Sequence, residues 1–566
     1  MRRHVLILAA PLLLLGACAT GPADNAASGE NLASAGLTPY GKFMAGEGAL
    51  RDGRSDEAAR MFDEARVLSG DEPAISERAF MAALLSGDIT QAAAVAPTGD
   101  DVAISAKRLG HLVVAVENLA QGKAKLARQQ LTDEDIGFPH RPAAAMLAPW
   151  VSAEAGDIDG SVVRPASGGD RLIAYFGLIG QAYLYERTGR FDEAETNFKT
   201  VASGQSAGEM VVLGYGGFLE RRGRKADAVT LYMEALAREP ASPQLQAALA
   251  RAKSGKAPPP PPTLREGAGM ALISPAAIMV SQRQNQIALA YLRLALRLNP
   301  ELDEAWLLVG DLMQGAGDAD AARAAYGKVK PRSPDYSAAQ AKLAWSYQGE
   351  DDPKTAIRVA RTAAATGSSA ARLTLADLLR SNEQYAESAD ILTGLIKESK
   401  TADWRLFYAR GIARERLDRW SEAEPDFIEA LKLRPDEPEL LNYLGYTWIN
   451  RGERLGEAMA MVEKAVAANP RSGAMVDSLG WAHYRLGDYK AAVKTLEQAV
   501  ELTAGDPEIN DHLGDAYWKV GRQDEALFQW RRVLTLQPDE KIKVAVEAKI
   551  AAATDPTKSA ANVLGR

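Results

Sequence analysis

Read as a succession of apolar and polar positions, this chain repeats one signature, Leu-Gly followed by aromatics. It occurs as Leu444-Gly445-Tyr446-Thr447-Trp448, as Leu479-Gly480-Trp481 and as Leu513-Gly514-Asp515-Ala516-Tyr517, and the leucines are 35 and 34 residues apart. A fixed period near 34 residues means one supersecondary unit stacked many times, without a single globular core. The unit reads as two helices. The first carries a large apolar residue, then Leu-Gly, then an aromatic; the second carries a small residue, an aromatic four later, Ala three later, and Pro after its end. Small residues let the two helices approach closely, and the large ones fill the space beside them. The expected fold is all-α, an α-solenoid.

The same frame fits Trp306, Val309, Gly310, Met313, Gly317, Ala322, Tyr326 and Pro334, and again Gly216, Gly223, Ala228, Tyr232, Ala235 and Pro240. Near the start it fits Gly46, Gly53, Ala58, Phe62 and Ala65, and less closely Pro73 to Val163. Gly189, Gly223, Gly317, Gly487 and Gly521 stand where a first helix must stop, a place for a residue with positive φ. Asp506-Pro507-Glu508 reads as an N-cap, a proline at the first helical position and a first-turn acid. Composition, rich in Ala, Leu, Glu and Arg, favours helix throughout. The one obvious break is the run Pro258 to Pro262, which favours extended polyproline II. It reads as a linker, and is also a candidate ligand for a proline-reading module. The expected organisation is a leader over 1-17, a tether over 18-38, a degenerate solenoid over 39-254, the linker over 255-264, a second solenoid with a closing helix over 265-553, and a tail over 554-566.

This grammar resembles the tetratricopeptide repeat, which implies a right-handed superhelix of tandem helix pairs, here in two segments. The run Ile287-Ala288-Leu289-Ala290-Tyr291-Leu292-Arg293-Leu294-Ala295-Leu296, and Asp477-Ser478-Leu479-Gly480-Trp481-Ala482-His483-Tyr484-Arg485-Leu486-Gly487 above all, are similar to stretches in a family of proteobacterial tetratricopeptide lipoproteins.

The first residues bear on that resemblance. Arg2 and Arg3 precede a short apolar run, Val5 to Leu15, too short to span a bilayer, so the segment reads as a signal peptide. It ends Leu15-Gly16-Ala17-Cys18, which resembles the lipobox of bacterial lipoproteins; the alternative is a secretory signal cut after Ala19. Cys18 is the chain's only cysteine and is the expected lipid attachment site, with more than one acyl chain giving stable anchoring. Ala19 beyond it implies, by resemblance, the periplasmic face of the outer membrane. Lipidation leaves no thiol for a disulfide, a metal or a nucleophile. Removing Arg2 and Arg3 takes Lys+Arg from 66 to 64 against 74 acids, a net charge of −10. An acidic chain without a basic stripe argues against nucleic acid as the main ligand.

Catalytic, cofactor and metal sites are not expected. His111 and His140 are isolated, and His483 and His512 read as surface or groove residues without a second histidine at metal-binding spacing. Gly214-Tyr215-Gly216-Gly217 falls inside a helix and lacks the strand a phosphate loop needs. The groove is the better candidate. The repeat family places certain first-helix positions on the concave surface, consistent with helical periodicity. By that register Trp345, Tyr408, Tyr446, Trp481, Tyr484 and Trp518 face the groove, with Arg405, Arg485 and Lys519 near them, whereas Trp448, Tyr517 and Trp530 belong to the core. Groove aromatics suit protein contact; the alternative is that they pack between neighbouring first helices. Mixed charges around them, including Glu439, Asn442, Asp477, Asp511 and Asp515, suit a polypeptide ligand. The Lys/Asn/Lys clamp for a C-terminal carboxylate is absent. The expected function is a lipid-anchored scaffold or adaptor for protein partners of the cell envelope. Resemblance adds a carboxyl-terminal processing protease as one such partner. The alternative is a structural subunit of an outer-membrane assembly or export machine.

Overall fold

The computed structural model describes residues 38–70, 72–99, 101–131, 136–165, 171–203, 208–240, 242–399 and 403–554. Cys18 and the leader lie outside them, as does the tail beyond Thr554. The described residues form helices in tandem, from Pro39–Arg51 to Glu540–Thr554, with no strand among them. The all-α solenoid expected from the repeat is what the chain builds.

One contact recurs. In pair after pair, a glycine of the first helix lies under a large side chain sixteen residues on, in the second helix. A Cβ on Gly216 would stand 2.3 Å from the Tyr232 ring, on Gly310 2.2 Å from Tyr326, on Gly411 2.8 Å from Phe427 and on Gly514 2.5 Å from Trp530. Gly46 under Phe62 and Gly480 under Leu496 repeat the arrangement. These spaces admit no methyl group, so the glycine fixes how closely the two helices approach. Tyr232, Phe427 and Trp530 are buried there, as are Trp448 and Tyr517, which the register assigned to the core.

The turn between the helices is equally regular. Gly189, Gly223, Gly317, Gly487 and Gly521 have φ of 77° to 85°. Other pairs keep the left-handed turn without glycine, at Arg283, Asp351, Glu383 and Asp418, with φ of 57° to 60°. Packing of the helices on either side therefore overrides a local backbone cost of about 1 kcal/mol.

The contacts divide the chain into two units, Met1–Lys328 and Val329–Arg566. This division does not fall at the proline run. The run is strapped to its own unit, because Arg187 donates to the Pro262 carbonyl and Arg221 to the Pro259 carbonyl, both at 3.0 Å. A capping box at Thr263 and Glu266 then starts the helix Leu264–Ala271, which packs against Arg141–Glu154 and Arg171–Arg187. The helix Asn285–Leu298 packs against Pro73–Ser86 and Ile104–Ala120. These partners are first helices of their pairs, so the segment after the prolines covers the face that lines a groove in an open solenoid. Within Ala288–Leu298 only Arg293 and Arg297 are not buried. Arg293 donates to the Leu85 carbonyl, and Arg297 grips Glu117 at 2.7 and 3.0 Å, holding its carboxyl below the ordinary range. A run apolar on all sides is a core helix.

In the second unit, helix pairs follow one another from Tyr336–Gly349 and Pro353–Ala364 to Pro507–Lys519 and Gln523–Thr535. Each helix packs chiefly on its chain neighbours, and several first helices also touch one another, among them Pro438–Arg451, Gly473–Arg485 and Pro507–Lys519. The closing helix expected after Glu540 is present as Glu540–Thr554, with Val546 buried against the last pair.

Gly514→Ala should lower stability by roughly 1–3 kcal/mol through overpacking against Trp530. At Gly48, a Cβ would meet nothing within 4 Å, so Gly48→Ala should be neutral or stabilising by roughly 0.5–1 kcal/mol. Thermal melts followed by circular dichroism compare the two directly.

Candidate functional site

The predicted groove residues all lie on first helices of the second unit, and the structure separates them into two sets. One set is spent on packing. Trp481 is sandwiched: Tyr484 stacks on one side with centroids 4.6 Å apart and planes 6° apart, and His512 stacks at 4.0 Å and 14°. Its indole N–H donates to the Asn450 side chain at 2.7 Å. Tyr446 reaches past this stack, two repeats along, to donate its hydroxyl to Glu508. Tyr408 lies edge-on to Tyr443 at 5.7 Å and to Phe427 at 6.1 Å, and Trp518 leans on Trp530 at 5.5 Å. These half-buried rings join one first helix to the next or to the core. Burial pushes the Tyr408 and Tyr484 hydroxyls up to about 12.

The second set is open. Trp345 is 42% exposed. Arg405 is exposed beside Trp404, with its guanidinium 5.2 Å from that ring, and Lys519 is exposed 5.8 Å from the Tyr489 ring. Arg485 is exposed and donates one hydrogen bond to the Asn450 carbonyl at 2.9 Å. Two acids of the last first helix share one cation: Lys549 of the closing helix bonds Asp511 at 2.8 Å and Asp515 at 2.7 Å.

Sequence reasoning missed the pair beneath the stack. His512, expected at the surface or in the groove, is buried, with Nδ1 3.0 Å from both oxygens of buried Asp477. The two residues stand 35 apart, one more than the 34 from Leu479 to Leu513, on adjacent first helices. Burial opposes the imidazolium, but Asp477, with Glu508 and Asp511 behind it, outweighs burial and holds His512 above 6.5. The signal was available in part: a histidine one register position on from an acid of the preceding repeat lies on the neighbouring first helix, within reach of it. Arg410, at a position usually apolar, likewise pairs with buried Asp426 at 2.6 and 2.9 Å.

Among the described residues no group of three or more His, Cys, Asp or Glu side chains is arranged to hold a metal ion. No described helix is long and apolar enough to cross a membrane.

Residues 264–539 match a family described as tetratricopeptide repeat, and residues 179–245 match a second family of the same description. Over these stretches the sequence matches the tetratricopeptide repeat. It is similar to a TPR repeat-containing protein of Pseudomonas aeruginosa, 33% identical over 140 residues; the match covers 25% of this chain and spans 23% of that relative. Solved structures resemble it loosely. A chain of the Cut9–Hcn1 hetero-tetramer of APC/C is 17% identical, with 86% of this chain and 97% of that chain covered and a TM-score of 0.38. A tetratricopeptide repeat protein of Parabacteroides merdae is 13% identical over 45% of this chain and 99% of its own, also with a TM-score of 0.38. The matched repeats indicate a protein–protein interaction scaffold.

His512 has a raised folded pKa, so its contribution to stability is complete below 6.5 and is lost as pH rises through that raised value. His512→Gln should therefore lower the melting temperature by several degrees at pH 5.5 and by much less at pH 9. Trp481→Ala should lower it at both pH values, because the apolar area its indole buries is lost whether or not His512 is protonated. Melts of the three proteins across this range check both expectations.

Proposed function

We propose that this protein is a lipid-anchored scaffold of the cell envelope, held through Cys18 at the periplasmic face of the outer membrane, which gathers protein partners on the first-helix face of its C-terminal unit. The observation that carries this reading is the open set on that face: Trp345, Arg405, Arg485 and Lys519 remain exposed where the surrounding aromatics are absorbed by packing. Exposed guanidinium and indole groups above a rigid, pre-packed surface favour polypeptide ligands, since little of the surface must be ordered on binding. Among partners, resemblance to lipid-anchored adaptors puts first a carboxyl-terminal processing protease together with the cell-wall hydrolases it degrades. Holding both on one tethered surface raises their effective concentration.

The anchor and the surface are tested separately. Cys18→Ser should move the protein from the membrane to the soluble periplasmic fraction; persistence in the membrane fraction contradicts the anchor. Reversing Arg405, Arg485 and Lys519 together to Glu should leave the melting temperature close to wild type. It should reduce by about tenfold the envelope proteins captured in an affinity pull-down and identified by mass spectrometry. Undiminished capture by the reversed protein contradicts this choice of surface, and a single stoichiometric partner would favour a machine subunit over an adaptor.

A further inference from the structure

The first unit contains a cavity of about 200 Å³ that the packing of its own side chains leaves unfilled. Its walls come from the start and middle of the helix Arg141–Glu154, from Arg171–Arg187, and from Ile273–Ser281 with Asn285–Leu298, through Met146, Phe176, Met279 and Tyr291 among others. Protein interiors are packed almost without voids larger than a water molecule, and an apolar cavity of ~150 Å³ is enough to hold benzene. Pro139, Pro142 and Pro275 in the wall fix the backbone, so the space exists before anything enters it.

The wall offers no charge to a ligand. Its polar pair is closed on itself: the Tyr291 hydroxyl lies 2.8 Å from Nδ1 of buried His140, and burial holds that imidazole neutral, with its pKa down at about 4. The rim differs from the floor. Phe138 is 62% exposed there, and the side-chain amides of Gln282 and Gln284 are exposed beside it, groups that can pair with a peptide backbone. Size chooses between occupants. Sites for drug-sized molecules run ~300–1,000 Å³, and a space of about 200 Å³ matches one large side chain better. We propose that it is an anchor pocket for a single Leu, Met or Phe side chain of a partner polypeptide, a second protein-binding site independent of the C-terminal surface. The inference rests on the protein being a polypeptide-binding scaffold, but neither on its anchor nor on Arg405, Arg485 and Lys519.

The test is selection of random peptides displayed on phage against the full chain, followed by fluorescence anisotropy of the enriched sequences as labelled synthetic peptides. Enriched peptides should share one bulky apolar position, and its replacement by Ala should weaken binding about tenfold or more. Met279→Trp, which fills the cavity, should have the same effect, and Phe138→Ala, at the exposed rim, a smaller loss in the same direction. The Arg405, Arg485, Lys519 reversal should bind these peptides as wild type does. Should Met279→Trp lose helicity, the Phe138→Ala result decides. The proposal is overturned if selection yields no peptide sensitive to either pocket variant. It is also overturned if dodecanoate binds tightly in a Met279-dependent way while peptides do not, which would make the cavity a lipid site. If the peptides depend instead on Arg405, Arg485 and Lys519, the pocket fails and the C-terminal surface stands.

Discussion

A glycine in one helix pressed against a ring in the next is the contact on which the rest of this architecture depends. Gly216 under Tyr232, Gly310 under Tyr326, Gly411 under Phe427 and Gly514 under Trp530 set the same close approach at widely separated points of the chain. Once a pair is locked at that distance, the connecting turn has little freedom, and its middle residue takes a left-handed conformation. The chain accepts this even where Arg283, Asp351, Glu383 or Asp418 stands in place of glycine. The local backbone yields to the packing, as expected where tertiary contact outweighs intrinsic preference.

With the pairs fixed, the two units use their first-helix faces differently. In the unit ending at Lys328, the chain lays its own helices Leu264–Ala271 and Asn285–Leu298 over that face and secures them with Arg293 on the Leu85 carbonyl and Arg297 on Glu117. In the unit beginning at Val329, the corresponding face is knitted side to side by rings, with His512 and Asp477 paired under Trp481. A buried pair of this kind is a costly way to gain stability and a good way to fix register, because one partner without the other leaves a polar group unpaired. Side chains left over from this packing, among them Trp345, Arg405, Arg485 and Lys519, stay exposed.

The repeat and its helix pairs were legible in the sequence because they rest on local rules: small residues at fixed offsets, glycine at the turn, proline after the end. Trp448, Tyr517 and Trp530 were assignable to the core by the same register. What the sequence hid depends on long-range contact. Pro258 to Pro262 read as a separator, since no helix can pass through them, yet Arg187 and Arg221, far back in the chain, bind its carbonyls and keep it within one unit. Trp481 and Tyr446 were placed on the groove side by periodicity, but periodicity does not say that Trp481 is covered by Tyr484 and His512 on its two faces. Cys18 lies outside the described residues, and the anchor remains a matter for fractionation.

The central claim, that the helices after the proline run belong to the first unit and cover its groove face, is tested most directly by hydrogen–deuterium exchange on the full chain. Peptides from Asn285–Leu298 should be among the most protected, and with added denaturant they should lose protection together with peptides from Ile104–Ala120. Rapid exchange across Asn285–Leu298, or loss of its protection in step with helices of the second unit and not with Ile104–Ala120, would contradict the account.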